Sequence, residues 1–236
     1  MTRIIFVDTE TTGLVHESGD RIIEIGCIEM VNRRLTGRSK HFYVNPQRAN
    51  SDDALKVHGL TDEFLADKPL FAAVVDEVAE FLNGAEVVIH NAPFDVGFFD
   101  AELQRLGRAP FTSWVAKVTD SLTLARETYP GKANSLDALC RRLEVDNSDR
   151  TLHGALLDAR LLAEVYIRMT RGQDSLVIDI AQGAIGSTPS GVPIDLSAFE
   201  LPVIAPTEAE LAAHATVLAD LDKASGGRTV WRERMA

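Results

Sequence analysis

The chain has 236 residues and a formal net charge of −11, with 24 lysines and arginines against 35 aspartates and glutamates. Such acidity disfavours a protein that binds duplex nucleic acid through a broad basic face. Hydrophobic residues make up 45% of the sequence, and no apolar run approaches the roughly 20 residues of a membrane span, so we expect a soluble protein. Cys27 and Cys140 stand outside any metal-type spacing, and the first residues lack the apolar core of a secretion signal. These features predict the cytoplasm and reduced thiols, although the sequence is also compatible with a disulfide.

Five apolar segments predict the strands of one sheet. Ile4–Val7 is an uninterrupted run of β-branched and aromatic residues, which is typical of a strand buried on both faces. The next two segments, 22–31 and 40–44, follow at the separations of a meander. The last two are 87–89 and 117–122.

Helical patterns begin after the third strand. Apolar residues recur at helical spacing between 74 and 82, ahead of Gly84, and a second pattern follows Pro93 and ends at Gly107. Ser135 is a typical N-cap residue for a third helix, and a final helix is expected over about 154–169. Three strands followed by β-α-β-α predict an α/β fold with a mixed five-stranded sheet flanked by helices.

Composition divides the chain near residue 172. Residues 173–236 hold four of the nine prolines and carry 4 basic side chains against 9 acidic ones. We expect residues 1–172 to form one domain and 173–236 a flexible tail, in which 179–206 is a linker. Thr207 as N-cap and Gly226 as a stop predict a short helix in the last segment, 207–236.

Two carboxylates follow the first strand in the string Asp8-Thr9-Glu10-Thr11-Thr12-Gly13. Residues two apart on a strand point to the same face, so we expect Asp8 and Glu10 to project side by side and Thr9 to point away. Like charges held that close favour a bound divalent cation with oxygen ligands. A solvated strand end with a Thr/Gly turn would also explain this string taken alone.

A third carboxylate, Asp95, stands in the first turn of the helix that follows the fourth predicted strand. Open α/β sheets place active sites at such strand ends, although Asp95 could simply complement the helix dipole. Asn91 and Phe94 flank it with an amide and an aromatic ring, a combination suited to binding a nucleotide. Phe94 could equally belong to the core.

A histidine and a fourth carboxylate stand at the start of the last helix, in His153-Gly154-Ala155-Leu156-Leu157-Asp158. We expect His153 on the entry loop and Asp158 in the second helical turn, facing one cleft. Such a pair lets the aspartate hold a metal while the histidine, with an ordinary pKa of about 6.5, transfers protons. A single His–Asp pair is usually structural. Here, however, it is the third acidic segment of the chain, and a purely structural explanation would require all three segments to converge by chance.

Together these segments resemble the three exonuclease motifs of the DEDD superfamily in its histidine variety, whose fold is similar to that of ribonuclease H. Within that superfamily the chain most resembles the proofreading epsilon-subunit family of bacterial DNA polymerase III. The likeness spans residues 3–170 and is carried by FVDTETTGL, VHGLTDEFLADKP, HNAPFDVGFFDAEL and LHGALLDARLLAEVY. A histidine five residues before Asp158, in place of a tyrosine four before it, disfavours the tyrosine variety.

The resemblance implies a 3′→5′ exonuclease that releases nucleoside 5′-monophosphates from DNA ends. It implies two Mg²⁺ or Mn²⁺ ions held by four carboxylates, namely Asp8, Glu10, Asp95 and Asp158, with Asp8 as the bridge. It also implies that His153 is the general base. The pocket for the terminal nucleotide would be lined by Thr9, Leu14, His58, Asn91 and Phe94, although His58 could be a plain loop histidine.

The resemblance extends to the tail. Gln173–Ile178 (QDSLVI) is similar to the Qxx(L/M)x(F/I) peptides that bind the bacterial sliding clamp, with Ile178 in place of the commoner phenylalanine. The linker and 207–236, with Trp231, resemble the arrangement that tethers these subunits to the alpha subunit of DNA polymerase III. A tether raises the effective concentration of the two partners. Some relatives also bind a small theta-like subunit.

Two other functions fit parts of the sequence. A free-standing exonuclease of the same superfamily, acting on single-stranded DNA or RNA ends, would share the catalytic set but would have less need of the tail. A non-catalytic interaction module would keep only the fold. The intact set of four carboxylates and His153 weighs against that module.

Overall fold

A computed structural model of the chain describes residues 2–148, 150, 152–170 and 205–226. Its sheet has five strands: β1 (Arg3–Thr11), β2 (Ile22–Val31), β3 (Arg34–Tyr43), β4 (Glu86–Ile89) and β5 (Lys117–Asp120). Their order across the sheet is β3-β2-β1-β4-β5. β2 pairs antiparallel with both β1 and β3, whereas β4 runs parallel to β1 and to β5. The predicted mixed five-stranded sheet is confirmed.

The helices are numbered in chain order. Those of the first 170 residues are α1 (Asp52–His58), α2 (Asp62–Leu65), α3 (Phe71–Leu82), α4 (Ala92–Arg105), α5 (Ser121–Thr128), α6 (Leu136–Leu143) and α7 (Ala155–Met169). Two single 3₁₀ turns, His16–Ser18 and Phe111–Ser113, lie in loops. None of the helices in the described part of the chain is both long and apolar enough to cross a membrane.

Three predicted boundaries were wrong. β1 continues through Asp8–Thr11 because these residues still pair with β2. β3 begins at Arg34 rather than at 40, since its polar, exposed first half lacks an apolar signal. The fifth strand ends at Asp120, whose carboxylate accepts the Leu122 N–H at 3.0 Å and starts α5, a helix that the sequence analysis missed.

The sheet is covered on both faces, which explains the continuous apolar run in β1. Ile5 and Val7 point into a core built with α3 and α4, while Ile4 and Phe6 point into a second core built with α6 and α7. Alternate residues of one strand reach opposite faces, so both sets must be apolar here. The central strand is therefore fixed from both sides just before its acidic residues.

Gly26 lets the start of α7 lie directly on β2. A Cβ at this position would be 2.3 Å from the carbonyl oxygen of Ala155. Gly26 is the register partner of Asp8. The close approach therefore brings the first turn of α7 to the acidic end of β1.

The tail is described only in part. The clamp-like peptide 173–178 and the linker up to 204 lie outside the described residues. The predicted C-terminal helix is present as α8 (Glu208–Ser225), with a capping box between Thr207 and Glu210 and a left-handed Gly226 at its end. This helix belongs to a unit separate from residues 1–178.

Candidate active site

The three acidic segments meet at one cavity of about 270 Å³, which we call the carboxylate cavity. β1 supplies Asp8 and Glu10, the first turn of α4 supplies Asp95, and the first turn of α7 supplies Asp158. Asp158 thus lies one turn earlier in its helix than expected. His153, in the segment before α7, lines the same cavity.

Thr9 also reaches the site, although strand alternation places its side chain on the face of β1 opposite to Asp8 and Glu10. Its hydroxyl donates a hydrogen bond to Asp95 Oδ1 at 2.6 Å, and it lines the cavity together with Asp8 and Glu10. β4 pairs only with Ile4–Phe6, so the end of β1 extends beyond its shorter neighbour. Side chains on both faces of β1 are therefore within reach of the α4 N-terminus.

Burial and mutual repulsion oppose ionisation of three of the carboxylates. Burial, followed by the charges of Asp95 and Asp158, raises the pKa of Asp8 well above its ordinary range. Burial raises the pKa of Glu10 to about 8, and the Asp158 charge adds to this. Burial also raises the pKa of Asp95 to about 7, although the hydrogen bond from Thr9 opposes it. These three groups need a nearby positive charge to ionise fully at neutral pH.

Asp158 differs because a guanidinium faces it. Arg150 donates from Nε to Asp158 Oδ1 and from Nη2 to Oδ2, both at 2.6 Å. Its Nη1 donates to Asp137 Oδ1, also at 2.6 Å. Burial alone would raise the pKa of Asp158, but the hydrogen bonds from His153 and Arg150 outweigh it and lower the pKa. A forked contact of this kind fixes the plane of the carboxylate.

The ring of His153 has two competing partners on one nitrogen. Nδ1 lies 2.8 Å from Arg150 Nη2 and 3.4 Å from Asp158 Oδ2. A guanidinium only donates, so the first contact needs an unprotonated Nδ1, whereas the carboxylate needs Nδ1–H. The Asp158 contact leaves Nε2 free to accept a proton, and the Arg150 contact places the proton on Nε2. Asp158 and Arg150 therefore favour opposite tautomers of the neutral ring.

The side chains present fit a hard divalent cation. Ligand atoms of Glu10, His153 and Asp158 lie within 4.8 Å of one another, and Asp8 and Asp95 face the same cavity. Carboxylate oxygens are the donors that Mg²⁺ and Mn²⁺ prefer, and a cation among them would oppose the burial and repulsion that raise the pKa values of Asp8, Glu10 and Asp95. His153 belongs to this triplet, so its nitrogen is a possible ligand as well as a possible base.

The residues expected at the terminal nucleotide lie at different places. Thr9 and Phe94 line the carboxylate cavity, whereas Asn91 lines an adjacent one. Leu14 is 80% exposed in the loop after β1. His58 is buried at the end of α1, where its Nδ1 accepts the Leu60 N–H at 3.0 Å, and the neighbouring Val57 carbonyl accepts the His153 N–H.

Several residues of the cavity wall were not predicted from the sequence. Arg150 is the most important of them, and the others are His90, Ser135, Leu136 and Asp137. Arg150 stands three residues before His153, so the acidic and histidine motif could have been extended towards it. Asp137 and Ser135 carry no such signal because they belong to the separate helix α6 and its N-cap.

Comparison with known proteins places the chain in a family. The family model "Exonuclease" (RNase_T) matches residues 5–166. The DNA polymerase III subunit epsilon of Salmonella typhimurium is 52% identical over 240 residues, which cover 98% of each chain. This chain belongs to the DNA polymerase III epsilon family of exonucleases. The expected 3′→5′ proofreading exonuclease class is confirmed by that membership.

Solved structures agree with the fold of this epsilon-family chain. Exonuclease I superposes with a TM-score of 0.67 at 19% identity, over 74% of this chain and 42% of that one. Exonuclease X, solved in complex with 5′-overhanging duplex DNA, gives a TM-score of 0.54 at 27% identity, over 72% of this chain and 92% of that one. The ribonuclease H-like fold expected from the motifs is thereby confirmed.

Proposed function

We propose that this epsilon-family chain removes misincorporated nucleotides from DNA 3′ ends as 5′-monophosphates. The observation that carries the proposal is the convergence of four carboxylates and a histidine on one cavity, in a chain that belongs to this family. The acids come from three distant segments, β1, α4 and α7, so their meeting is a product of the fold.

The four carboxylates are proposed to hold two Mg²⁺ or Mn²⁺ ions. When bound, such ions activate a water molecule and stabilise the leaving 3′-oxygen. Asp8 is close enough to Asp95 for the Asp95 charge to raise its pKa. The ligand atoms of Glu10 and Asp158 lie within 4.8 Å of each other and of His153. The hydrogen bonds that Asp95 and Asp158 accept from Thr9 and Arg150 keep both carboxylates oriented.

His153 is proposed as the general base. Its side chain is 45% exposed at the mouth of the cavity, so Nε2 can reach a water molecule there. The Nδ1 contact with Asp158 keeps Nε2 unprotonated and stabilises the imidazolium that forms when the proton is accepted. The Arg150 contact stabilises the inactive tautomer and must loosen for this step.

Thr9, Leu14, His58, Asn91 and Phe94 are proposed to surround the terminal nucleotide. Phe94 offers a ring at the cavity wall, where a base or sugar can pack. His58 lies next to Val57, whose carbonyl holds the His153 backbone at 3.0 Å. The pocket and the base are therefore connected through the backbone.

The proposed activity is tested on a single-stranded oligonucleotide labelled at its 5′ end. Purified protein with Mn²⁺ should shorten the strand one nucleotide at a time and release 5′-monophosphates, and EDTA should stop the reaction. Asp8→Ala should abolish both hydrolysis and calorimetric Mn²⁺ binding. Internal cuts, or unchanged Mn²⁺ binding in Asp8→Ala, would refute the assignment of these carboxylates.

The tail is proposed to connect the exonuclease with the replication machinery of the cytoplasm. Leu211, Val217 and Leu221 are exposed on α8, and exposed apolar side chains on a helix favour a protein partner. We assign 207–236 to the alpha subunit of DNA polymerase III and Gln173–Ile178 to the sliding clamp. A theta-like small subunit is a third candidate partner.

Co-purification of the full chain and of a 1–172 truncation with the polymerase and the clamp tests these partners. The full chain should retain both proteins, and the truncation should lose both while it still shortens oligonucleotides. If the truncation binds both partners as well as the full chain, the tail assignment fails and a free-standing exonuclease becomes the better description.

A further inference from the structure

A second cavity of about 520 Å³ adjoins the carboxylate cavity. The two cavities share His90 and Ser135 as common walls. The polar lining of the second one consists of His90, Asn91, Arg126, Lys132, Asn134 and Ser135. We call it the basic cavity.

The basic cavity has an unusual charge for this protein. Its lining contains no acidic side chain, although the chain as a whole carries −11. Arg126 at the end of α5 and Lys132 in the following loop are exposed, and within the described residues neither forms an ion pair. Two unpaired cations beside neutral amide and hydroxyl groups form an environment suited to an anion with several oxygens.

Another cavity lined by arginines differs from the basic cavity because its arginines contact carboxylates. Arg21 and Arg105 line it, but both contact the buried carboxylate of Glu102, and Arg48 contacts Asp20. Each of these guanidinium groups already has an acidic partner within the domain. Arg126 and Lys132 have no such partner among the described residues, so their charges remain available to a ligand.

The position of the basic cavity indicates which anion it binds. Thr9 and Phe94, proposed to hold the terminal nucleotide, line the carboxylate cavity, whereas His90 and Ser135 lead from that cavity into the basic one. A strand whose 3′-terminal nucleotide faces Thr9 and Phe94 would continue past this shared wall. Its next phosphate would then lie within reach of Arg126 and Lys132.

We propose that the basic cavity binds the backbone phosphate next to the scissile one on its 5′ side. This inference rests on the proposed exonuclease function and adds a contact outside the carboxylate cavity. Arg126 and Lys132 pair with the phosphate, while Asn91 supplies an amide donor. The contact holds the strand in a protein whose overall charge repels it.

Two substrates distinguish this site from the catalytic one. The p-nitrophenyl ester of thymidine 5′-monophosphate has only the phosphate that is hydrolysed, whereas a single-stranded oligonucleotide also has the next one. The variant Arg126→Gln/Lys132→Gln should raise KM for the oligonucleotide at least about tenfold. Its kcat and KM for the ester should stay within about twofold of the wild type.

The matched control is Arg34→Gln/Arg141→Gln, which removes the same charge from two exposed arginines outside the basic cavity. It should leave the oligonucleotide KM within about twofold of wild type at 0.1 M salt. The dependence of log KM on log salt should become shallower by about 1.4 in the cavity variant, as expected for two lost phosphate contacts on a single strand.

Several results would overturn the proposal. An unchanged oligonucleotide KM in the cavity variant, an equal loss on the ester, or an equal KM increase in the control would each do so. If the wild type hydrolyses neither substrate, the proposed exonuclease function fails by itself. The affinity for a labelled oligonucleotide, measured by fluorescence anisotropy in EDTA, then tests the basic cavity. The proposal stands only if the cavity variant binds the oligonucleotide at least about tenfold more weakly than the wild type.

Discussion

Arg150 is the residue with the densest set of charged contacts in the cavity wall. Its guanidinium binds Asp158 with two nitrogens, Asp137 with the third, and lies 2.8 Å from His153. The side chain is only 6% exposed. It therefore compensates part of the carboxylate charge in the metal-free protein and restrains the histidine.

Replacing Arg150 tests that compensation. In EDTA, Arg150→Gln should lower the free energy of unfolding by about 3–5 kcal/mol, because Asp158 would be left buried without its partner. Mn²⁺ should recover much of this loss, since a cation then supplies the missing charge. Thermal unfolding with and without Mn²⁺ measures both effects.

Arg38→Gln is the control for this measurement. Arg38 also contacts a buried carboxylate, Glu29, but its own side chain is 66% exposed. Glu29 keeps its contact with Arg3 at 2.7 Å when the exposed Arg38 is replaced, so the control should lose only about 0–1 kcal/mol. Equal losses in the two variants would show that Arg150 has no special role in the site.

His153→Ala separates the two roles open to the histidine. As the general base it should be needed for hydrolysis but not for metal binding, so the rate should fall by roughly 10²–10⁴-fold while the calorimetric Mn²⁺ affinity stays near that of the wild type. The ring nitrogen also lies within ligand distance of Glu10 and Asp158. A large loss of Mn²⁺ affinity would therefore identify His153 as a ligand instead.

At the scale of elements, the site depends on how closely α7 approaches the sheet. The first turn of α7 lies on Gly26 of β2, and its backbone begins at the segment that holds His153. The N-terminus of α4 reaches the same cavity because β4 has only four residues and α4 begins three residues after it ends. Two helix starts and one strand end therefore meet at the cavity.

Gly26→Ala should disturb the site through this contact. The added Cβ would overlap the Ala155 carbonyl, so β2 and α7 must separate, at a cost of about 1–3 kcal/mol in unfolding free energy. The rate should fall more than stability alone explains, because Asp158 moves with α7. Gly154→Ala, whose Cβ would meet open space, should leave the denaturation midpoint nearly unchanged.

At the scale of the whole molecule, the net charge of −11 is distributed in a way that suits a nuclease. Part of it is the carboxylate cluster, and another part is the tail after residue 172, which carries 9 acidic residues against 4 basic ones. The basic cavity lies beside the cluster, where a strand would need positive charge. If a polymerase supplies most of the contact, the exonuclease by itself should bind DNA weakly.

Stability should depend on pH through the cluster. The pKa of Glu10 is raised to about 8 and that of Asp95 to about 7, so between about pH 4.5 and 8 the folded protein binds more protons than the unfolded chain. Stability in EDTA therefore falls as pH rises through this window. The midpoint of thermal unfolding should fall by on the order of 10 °C from pH 5 to pH 8.

Mn²⁺ should flatten this profile, because it binds the deprotonated carboxylates and stabilises them at the upper end. The variant Glu10→Gln lacks one of the raised groups and should show a weaker dependence in EDTA. A midpoint that rises with pH in EDTA would contradict the raised pKa values. Differential scanning fluorimetry across the pH range is sufficient for the comparison.

The family, the five strands and the acidic segments could be predicted from the sequence, because each has a local signal. The apolar run before Asp8, the Pro93 helix start and the histidine five residues before Asp158 are all visible in short windows. The capping residues Thr207 and Gly226 likewise predicted α8 correctly. The roles of the individual site residues stay predictions until they are measured.

The other residues that join the acids depend on long-range packing, which leaves no local signal in the sequence. Arg150 contacts Asp137 of α6, and Thr9 contacts Asp95 of α4. The basic cavity combines residues that follow β4, residues of α5 and residues that precede α6. These contacts link residues with no common periodicity, and Thr9 reaches Asp95 from the face of β1 opposite to Asp8 and Glu10. Local patterns report which face a side chain occupies, whereas charge compensation depends on which distant segment the fold places against that face.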